Sequence, residues 1–179
     1  MRTLLAGLAA FSLASCGGND VPSPAERMEG EAAVPVDEGQ VSLRPDGLTA
    51  GAESFFFAAG ENEVKAALAA SLGDALTSGE MPECGAGPIS YASYPGGLAV
   101  NFQDGSLVGW LLEERSDDIT LSSGLQIADP KFTVEQTPGY FLIDDSTLGE
   151  EFVISGEIAG FFEDGNVSML YAGVQCFFR

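Results

Sequence analysis

Two segments of the chain, 101–110 (NFQDGSLVGW) and 161–170 (FFEDGNVSML), share one pattern: an apolar run, an Asp-Gly pair and a second apolar run. An Asp-Gly pair between strand-like runs signals a two-residue β-hairpin, because a type I′ turn needs positive φ angles at both central residues. The pattern therefore predicts two antiparallel hairpins. It restricts the fold to one built on antiparallel sheet.

One clear helix precedes these hairpins. In the segment Glu61–Leu72 (ENEVKAALAASL), Val64, Leu68 and Leu72 recur at four-residue spacing, acids lie at its N-terminal end and Gly73 follows as a stop. The segments Ile89–Tyr94, 98–102 and 107–113 are short, apolar or aromatic and separated by Gly-rich turns, which is typical of strands. These patterns predict an α+β fold: an antiparallel, β-rich domain with one main helix.

The two hairpins also suggest an internal duplication. Upstream of each lies a similar segment, 47–54 (GLTAGAES) and 124–131 (GLQIADPK), in which a strand is expected to lead toward a helix. The second helix, at 129–136, would be short. We therefore expect two tandem strand–helix–multistrand repeats, the alternative being a chance resemblance of two hairpins.

The N-terminus has the build of a signal peptide. Residues 1–15 carry one positive charge and then an apolar run too short to span a bilayer as a permanent helix. The residues Leu13-Ala14-Ser15 before Cys16 resemble the lipobox of bacterial lipoproteins. The alternative is an ordinary secretory signal with an unrelated cysteine.

The lipobox resemblance implies that Cys16 becomes the first residue and carries lipid chains, palmitate among them. Two or more acyl chains give durable anchoring without a membrane-spanning segment. Position 17 is Gly, not the Asp that favours inner-membrane retention, so the resemblance implies the periplasmic face of the outer membrane. Residues 16–43 are proline-containing, acidic and without aromatics, which predicts a disordered tether, and 44–179 is expected to form a single globular domain.

The chain is strongly acidic, with a net charge of −20. Such a charge repels nucleic acid and anionic lipid, so we expect no nucleic-acid partner. A partner attracted by this negative surface would be cationic: a basic protein face, a divalent metal or a polyamine. The favoured alternative is that acidity only keeps an exported domain soluble.

The sequence excludes most catalytic constellations. It contains no His, which removes Ser-His-Asp and Cys-His machinery and most zinc sites. It also has no G-x-S-x-G, P-loop or dinucleotide-binding pattern. We therefore expect no catalytic residue, no resident metal and no cofactor.

Paired carboxylates are the one chemistry left open. The densest group is in 144–151 (DDSTLGEE), where Asp144, Asp145, Glu150 and Glu151 could serve a glycosidase-like hydrolase or bind calcium. The spacing is not that of an EF-hand, so a solvated turn between strands is the favoured interpretation.

The two remaining cysteines, Cys84 and Cys176, are predicted to form a disulfide. Export to an oxidising compartment makes pairing the default, and the absence of His removes a competing metal site. Cys84 is expected in a loop after the helix and Cys176 in the final strand. The alternative is two separate buried thiols.

Two phenylalanine runs, 55–57 and 177–178, are either core or a recognition surface. Successive side chains of a strand point to opposite faces, so at least one Phe of each run should point away from the core. Core is the favoured interpretation.

The element order resembles BLIP-like inhibitor and small-lipoprotein modules and, more distantly, outer-membrane assembly lipoproteins of the SmpA/OmlA type. The run from LRPDGL to CFFR also resembles small lipoproteins of Sphingomonas-like alphaproteobacteria. These resemblances imply a lipid-anchored periplasmic binding or envelope-assembly module that contacts another envelope protein. The alternatives are a carboxylate-dependent extracytoplasmic hydrolase and a calcium-responsive structural lipoprotein.

Overall fold

The structure is a computed structural model that describes residues 39–177. Strands make up most of its regular secondary structure. They are β1 (Val41–Arg44), β2 (Gly47–Ala50), β3 (Glu53–Phe56), β4 (Thr77–Met81), β5 (Ile89–Tyr94), β6 (Leu98–Gln103), β7 (Ser106–Leu112), β8 (Ile119–Leu121), β9 (Tyr140–Ile143), β10 (Glu150–Ile154), β11 (Ile158–Glu163) and β12 (Asn166–Gly173). The helices are α1 (Glu61–Leu72) and a single turn, α2 (Lys131–Val134). The predicted α+β, β-rich class with one main helix is confirmed.

Eight strands form one antiparallel sheet in the order β4-β5-β6-β7-β12-β11-β10-β9. The strands β4 to β7 form one meander and β9 to β12 form another. The two meanders join where β7 pairs with β12, with Leu112 opposite Leu170. Residues far apart in the chain therefore become neighbours at the middle of the sheet.

A second sheet, with the order β3-β2-β1-β8, packs with α1 on one face of the large sheet. Trp110 of β7 is fully buried between the sheets and donates its indole N–H to the carbonyl oxygen of Arg44 at 2.7 Å. A buried indole needs such a partner, because its N–H otherwise loses its hydrogen bond to water. Val100 and Ala172, register partners of Trp110 on either side, lie in the same core.

Helix α1 has the bounds that its sequence predicts. Val64 and Leu68 are fully buried against the core, and Leu72 packs on its edge. The first turn carries Glu61 and Glu63, whose charges favour a helix N-terminus. The local pattern was sufficient here because apolar spacing, terminal charge and the stop signal agree.

Both Asp-Gly hairpins form as predicted. Asp104 and Gly105 have φ angles of 51° and 74°, and Asp164 and Gly165 have 50° and 78°. Positive φ at both central residues is the requirement of a type I′ turn. Each hairpin also carries a register shift on its first strand, between Asn101 and Phe102 in one and between Phe161 and Phe162 in the other.

The hairpin turns hold the two helices in the same way. Glu61 donates its backbone N–H to the carbonyl oxygen of Gly105, and Lys131 donates to that of Gly165, both at 2.9 Å. Three residues earlier, Ala58 and Ala128 both have positive φ, 81° and 68°.

This correspondence corrects the predicted upstream alignment. Segment 47–54 is not the counterpart of 124–131, because Gly47 begins strand β2 whereas Gly124 follows strand β8 in a turn. The segment that resembles 128–131 in its hydrogen bond to a hairpin turn and in its positive φ angle is 58–61. The shared Gly-Leu pair misled the comparison, since the residues that dock on the hairpin turns are not alike in sequence.

The folded region also begins before the predicted boundary at residue 44. Strand β1 starts at Val41, and both Val41 and Leu43 are fully buried. Composition assigned them to the acidic tether, but their alternation with Ser42 is that of a half-buried strand.

Candidate binding face

The eight-stranded sheet has a second face, opposite the core, which we call the outer face. Its side chains alternate along each strand with those of the core. One row crosses six strands through register pairs: Ala99, Leu111, Tyr171, Ala159, Val153 and Phe141. The row is apolar apart from the Tyr171 hydroxyl, and Phe141 at its end is 65 % exposed.

The chain that follows β12, residues 174–177, crosses this outer face; we call it the tail. Asn101 of β6 donates from Nδ2 to the carbonyl oxygen of Val174 and to Oε1 of Gln175, both at 2.9 Å. Gln175 in turn donates from Nε2 to the carbonyl oxygen of Trp110 at 2.9 Å. Because Asn101 is buried, these bonds satisfy a polar group that would be costly to leave unpaired.

The sheet makes room for the tail at Gly109. A Cβ placed there would collide with the carbonyl oxygen of Val174, so the tail backbone lies directly on the β7 backbone. Glycine in a strand often marks such a close approach of another backbone.

The tail ends in an aromatic cluster, which consists of Phe161, Tyr171 and Phe177. The Phe177 ring lies edge-on to Phe161 at 5.6 Å and to Tyr171 at 5.1 Å between ring centroids. Phe161 and Tyr171 stack at 5.8 Å. These are favourable aromatic geometries, and they fix Phe177 against the sheet.

Two cavities lie on either side of Phe177. One, which we call the acidic cavity, has a volume of about 520 Å³, and its lining includes Glu113, Leu148, Phe161, Glu163, Met169 and Phe177. The other, the thiol cavity, has a volume of about 380 Å³, and its lining includes Met81, Tyr91, Leu111, Cys176 and Phe177. Both are lined by apolar and aromatic side chains together with polar groups, a combination found in ligand and partner sites.

The structure brings the two predicted disulfide residues together. Cys84 is buried in the loop between β4 and β5, and Cys176 lies in the tail rather than in the final strand as predicted. Both are free thiols in this structure. Burial, together with a hydrogen bond to Cys84, raises the pKa of Cys176 to about 11. Such a thiol is a poor nucleophile at neutral pH, and the disulfide itself stays a prediction.

The four carboxylates of segment 144–151 have different surroundings in the structure. Asp144 and Asp145 are exposed, and Glu150 forms an ion pair with Lys131, whose pKa it raises. Glu151 is fully buried and accepts a hydrogen bond from the Tyr171 hydroxyl. The expectation of a solvated turn is therefore wrong for Glu151, because this residue already belongs to strand β10, opposite Phe161.

Nothing in residues 39–177 groups three or more Cys, Asp or Glu side chains in a way that could hold a metal ion. No helix within that range is long and apolar enough to cross a bilayer. Cys16, the predicted lipidation site, lies outside the described residues.

The first phenylalanine run behaves as strand alternation predicts. Phe55 is buried in the core, whereas Phe56 is 56 % exposed and stacks under the Arg44 guanidinium at 4.6 Å. In the second run Phe177 is half-buried, and Phe178 lies outside the described residues.

Comparison with known proteins gave no match: no family model, no curated protein and no solved structure matches this chain. The function must therefore be argued from the outer face itself.

Proposed function

We propose that this protein is a lipid-anchored periplasmic binding or envelope-assembly module that contacts another envelope protein through its outer face. One observation carries the proposal: the same outer face carries an aromatic cluster, two cavities and the exposed Phe141. Exposed apolar area of this kind usually marks an interaction site. The proposed module acts by contact and not by catalysis.

The N-terminal sequence supports the proposed location. A lipobox-like segment ends at Cys16, and an acidic, proline-containing segment separates it from strand β1. Acyl chains on Cys16 would hold the protein on the periplasmic face of the outer membrane. The disordered tether that the sequence predicts would span on the order of 30 Å and lift the domain clear of the lipid headgroups.

We also propose that the fold arose by duplication of a strand–helix–multistrand unit, as in the BLIP-like modules that the sequence resembles. The matching hairpins, strand irregularities and helix-holding hydrogen bonds support this proposal. The helices differ in length, with twelve residues in α1 and four in α2.

Affinity capture tests the binding role. The tagged full-length protein is used to recover partners from detergent-solubilised envelopes, in parallel with Phe141→Ser and Phe132→Ser. Both phenylalanines are 65 % exposed, but Phe132 lies on α2 and not on the outer face. We expect Phe141→Ser to reduce recovery of the partner by about tenfold, the loss typical of an interface anchor. Phe132→Ser should leave recovery unchanged.

Two results would contradict the proposal. One is that no partner is recovered above an untagged control in any of several detergents. The other is that the two variants reduce recovery equally, because the outer face would then have no special role.

A further inference from the structure

The acidic cavity has the chemistry of a site for an organic cation. Its lining includes two aromatic residues, Phe161 and Phe177, and two exposed carboxylates, Glu113 and Glu163. Aromatic ring faces attract cations within about 6 Å through their quadrupole, and carboxylates add a direct charge. The cavity therefore offers two separate kinds of attraction for positive charge.

No cation of the described chain supplies that charge. Of the basic residues in 39–177, which are Arg44, Lys65, Arg115 and Lys131, none lines the acidic cavity. Three of them form ion pairs elsewhere: Arg44 with Asp46, Lys65 with Glu61, and Lys131 with Glu135 and Glu150. Within 39–177, Glu113 and Glu163 enter no ion pair.

The shape and lining of the cavity favour a side chain over a metal ion. Hard cations such as calcium need six or more converging oxygens, and the described residues form no group able to hold a metal. Leu148 and Met169 instead provide apolar wall beside the carboxylates. A long basic side chain matches this arrangement, since its methylene stem packs on apolar surface while its charged end stays near the carboxylates.

We propose that the acidic cavity receives an arginine or lysine side chain of the partner protein. This inference rests on the proposed function and specifies the chemistry of the partner: a basic segment that reaches the outer face beside Phe177. The net charge of −20 favours the approach of such a segment over long range.

Methionine-methyl NMR tests the cavity directly. Only four methionines are present, and Met169 lines the acidic cavity whereas Met81 lines the thiol cavity. The full-length protein in nonionic detergent, with ¹³C-labelled methionine methyls, is titrated with N-acetylarginine methylamide. We expect the Met169 signal to shift and the Met81 signal to stay in place. The citrulline derivative, which is neutral and of nearly the same shape, should shift neither.

Charge-removing variants provide the second arm. Glu113→Gln and Glu163→Gln together should weaken the arginine-derivative affinity about fivefold, the range expected of exposed ion pairs. Glu114→Gln is the matched control, because it removes the same charge next to Glu113 but Glu114 does not line this cavity. Added salt should also weaken binding, since these carboxylates are exposed.

The inference is overturned if the arginine and citrulline derivatives shift Met169 equally, if neither shifts it, or if Glu114→Gln weakens binding as much as the double variant. It is also overturned if spermidine or calcium shifts Met169 and the arginine derivative does not. Failure here leaves the proposed function standing when Phe141→Ser still reduces partner capture and Phe132→Ser does not. If instead no partner is captured, the proposed function fails whatever the NMR result.

Discussion

Cys84 and Cys176 are the residues whose chemistry most depends on the compartment. The two thiols interact in the folded protein, and this interaction helps to raise the pKa of Cys176, although the residues lie ninety-two positions apart in the chain. We expect them to form a disulfide in the exported protein, since thiols held together in an oxidising compartment pair by default. Mass spectrometry of the alkylated, non-reduced protein checks this, and two alkylated thiols in protein recovered from the periplasm would contradict it.

The reduced protein should show a specific loss of stability at high pH. The pKa of Cys176 is raised from 9.0 to about 11, so the folded state holds this proton more tightly than the unfolded state. The resulting stabilisation is complete below about pH 9 and is lost as the pH rises from 9 toward 11. Urea unfolding checks this. The midpoint is measured for the reduced protein and for Cys176→Ala, in steps of about one pH unit between pH 8 and 11.

The raised pKa values of Tyr94 and Tyr140 also make the stability of the protein depend on pH in that experiment. Burial raises both, so both tyrosines contribute to destabilisation at high pH. Because this contribution is common to the reduced protein and to Cys176→Ala, the difference between them isolates the thiol. Identical pH profiles would show that Cys176 contributes nothing.

At the scale of single elements, the hairpin turns allow a clean test of backbone conformation. A Cβ added at Gly105 or Gly165 would meet nothing within 4 Å, so the positive φ angle is the main penalty of a substitution there. We expect Gly105→Val and Gly165→Val each to destabilise the domain by about 1–3 kcal/mol, because a β-branched residue strongly disfavours that region. Thermal melting measures both variants.

Gly85→Val is the control for these melts. A Cβ added there would also meet nothing within 4 Å, but Gly85 is not among the residues with positive φ. It should melt close to the unchanged protein. If Gly105→Val and Gly165→Val melt like this control, the turns do not impose the positive φ that both the sequence and the structure indicate.

For the whole molecule, the lipid proposed on Cys16 would decide where the protein resides. Replacement of Cys16 by Ser should leave an unprocessed precursor, because acylation of the thiol precedes cleavage in the lipoprotein pathway that the lipobox-like segment implies. Labelling of cells with a palmitate analogue measures this. Equal label in the unchanged protein and in Cys16→Ser would contradict lipidation at this residue.

The match between sequence and structure is closest where the determining interactions are local. Helix α1 and both Asp-Gly turns follow from spacing and turn chemistry within a few residues, so they were predictable. The prediction was wrong at Glu151 and at the upstream repeat segment, since burial and docking there depend on strands distant in the chain.

The sequence by itself therefore determined the fold class, the main helix and the hairpins. Only the tertiary structure decided that the tail lies on the outer face, that Cys84 contacts Cys176 and that Phe177 stands between two cavities. The physical reason is the pairing of β7 with β12, which joins the two meanders. Strand order and register between distant segments depend on how both faces of the sheet are covered, and no local pattern in either strand specifies that.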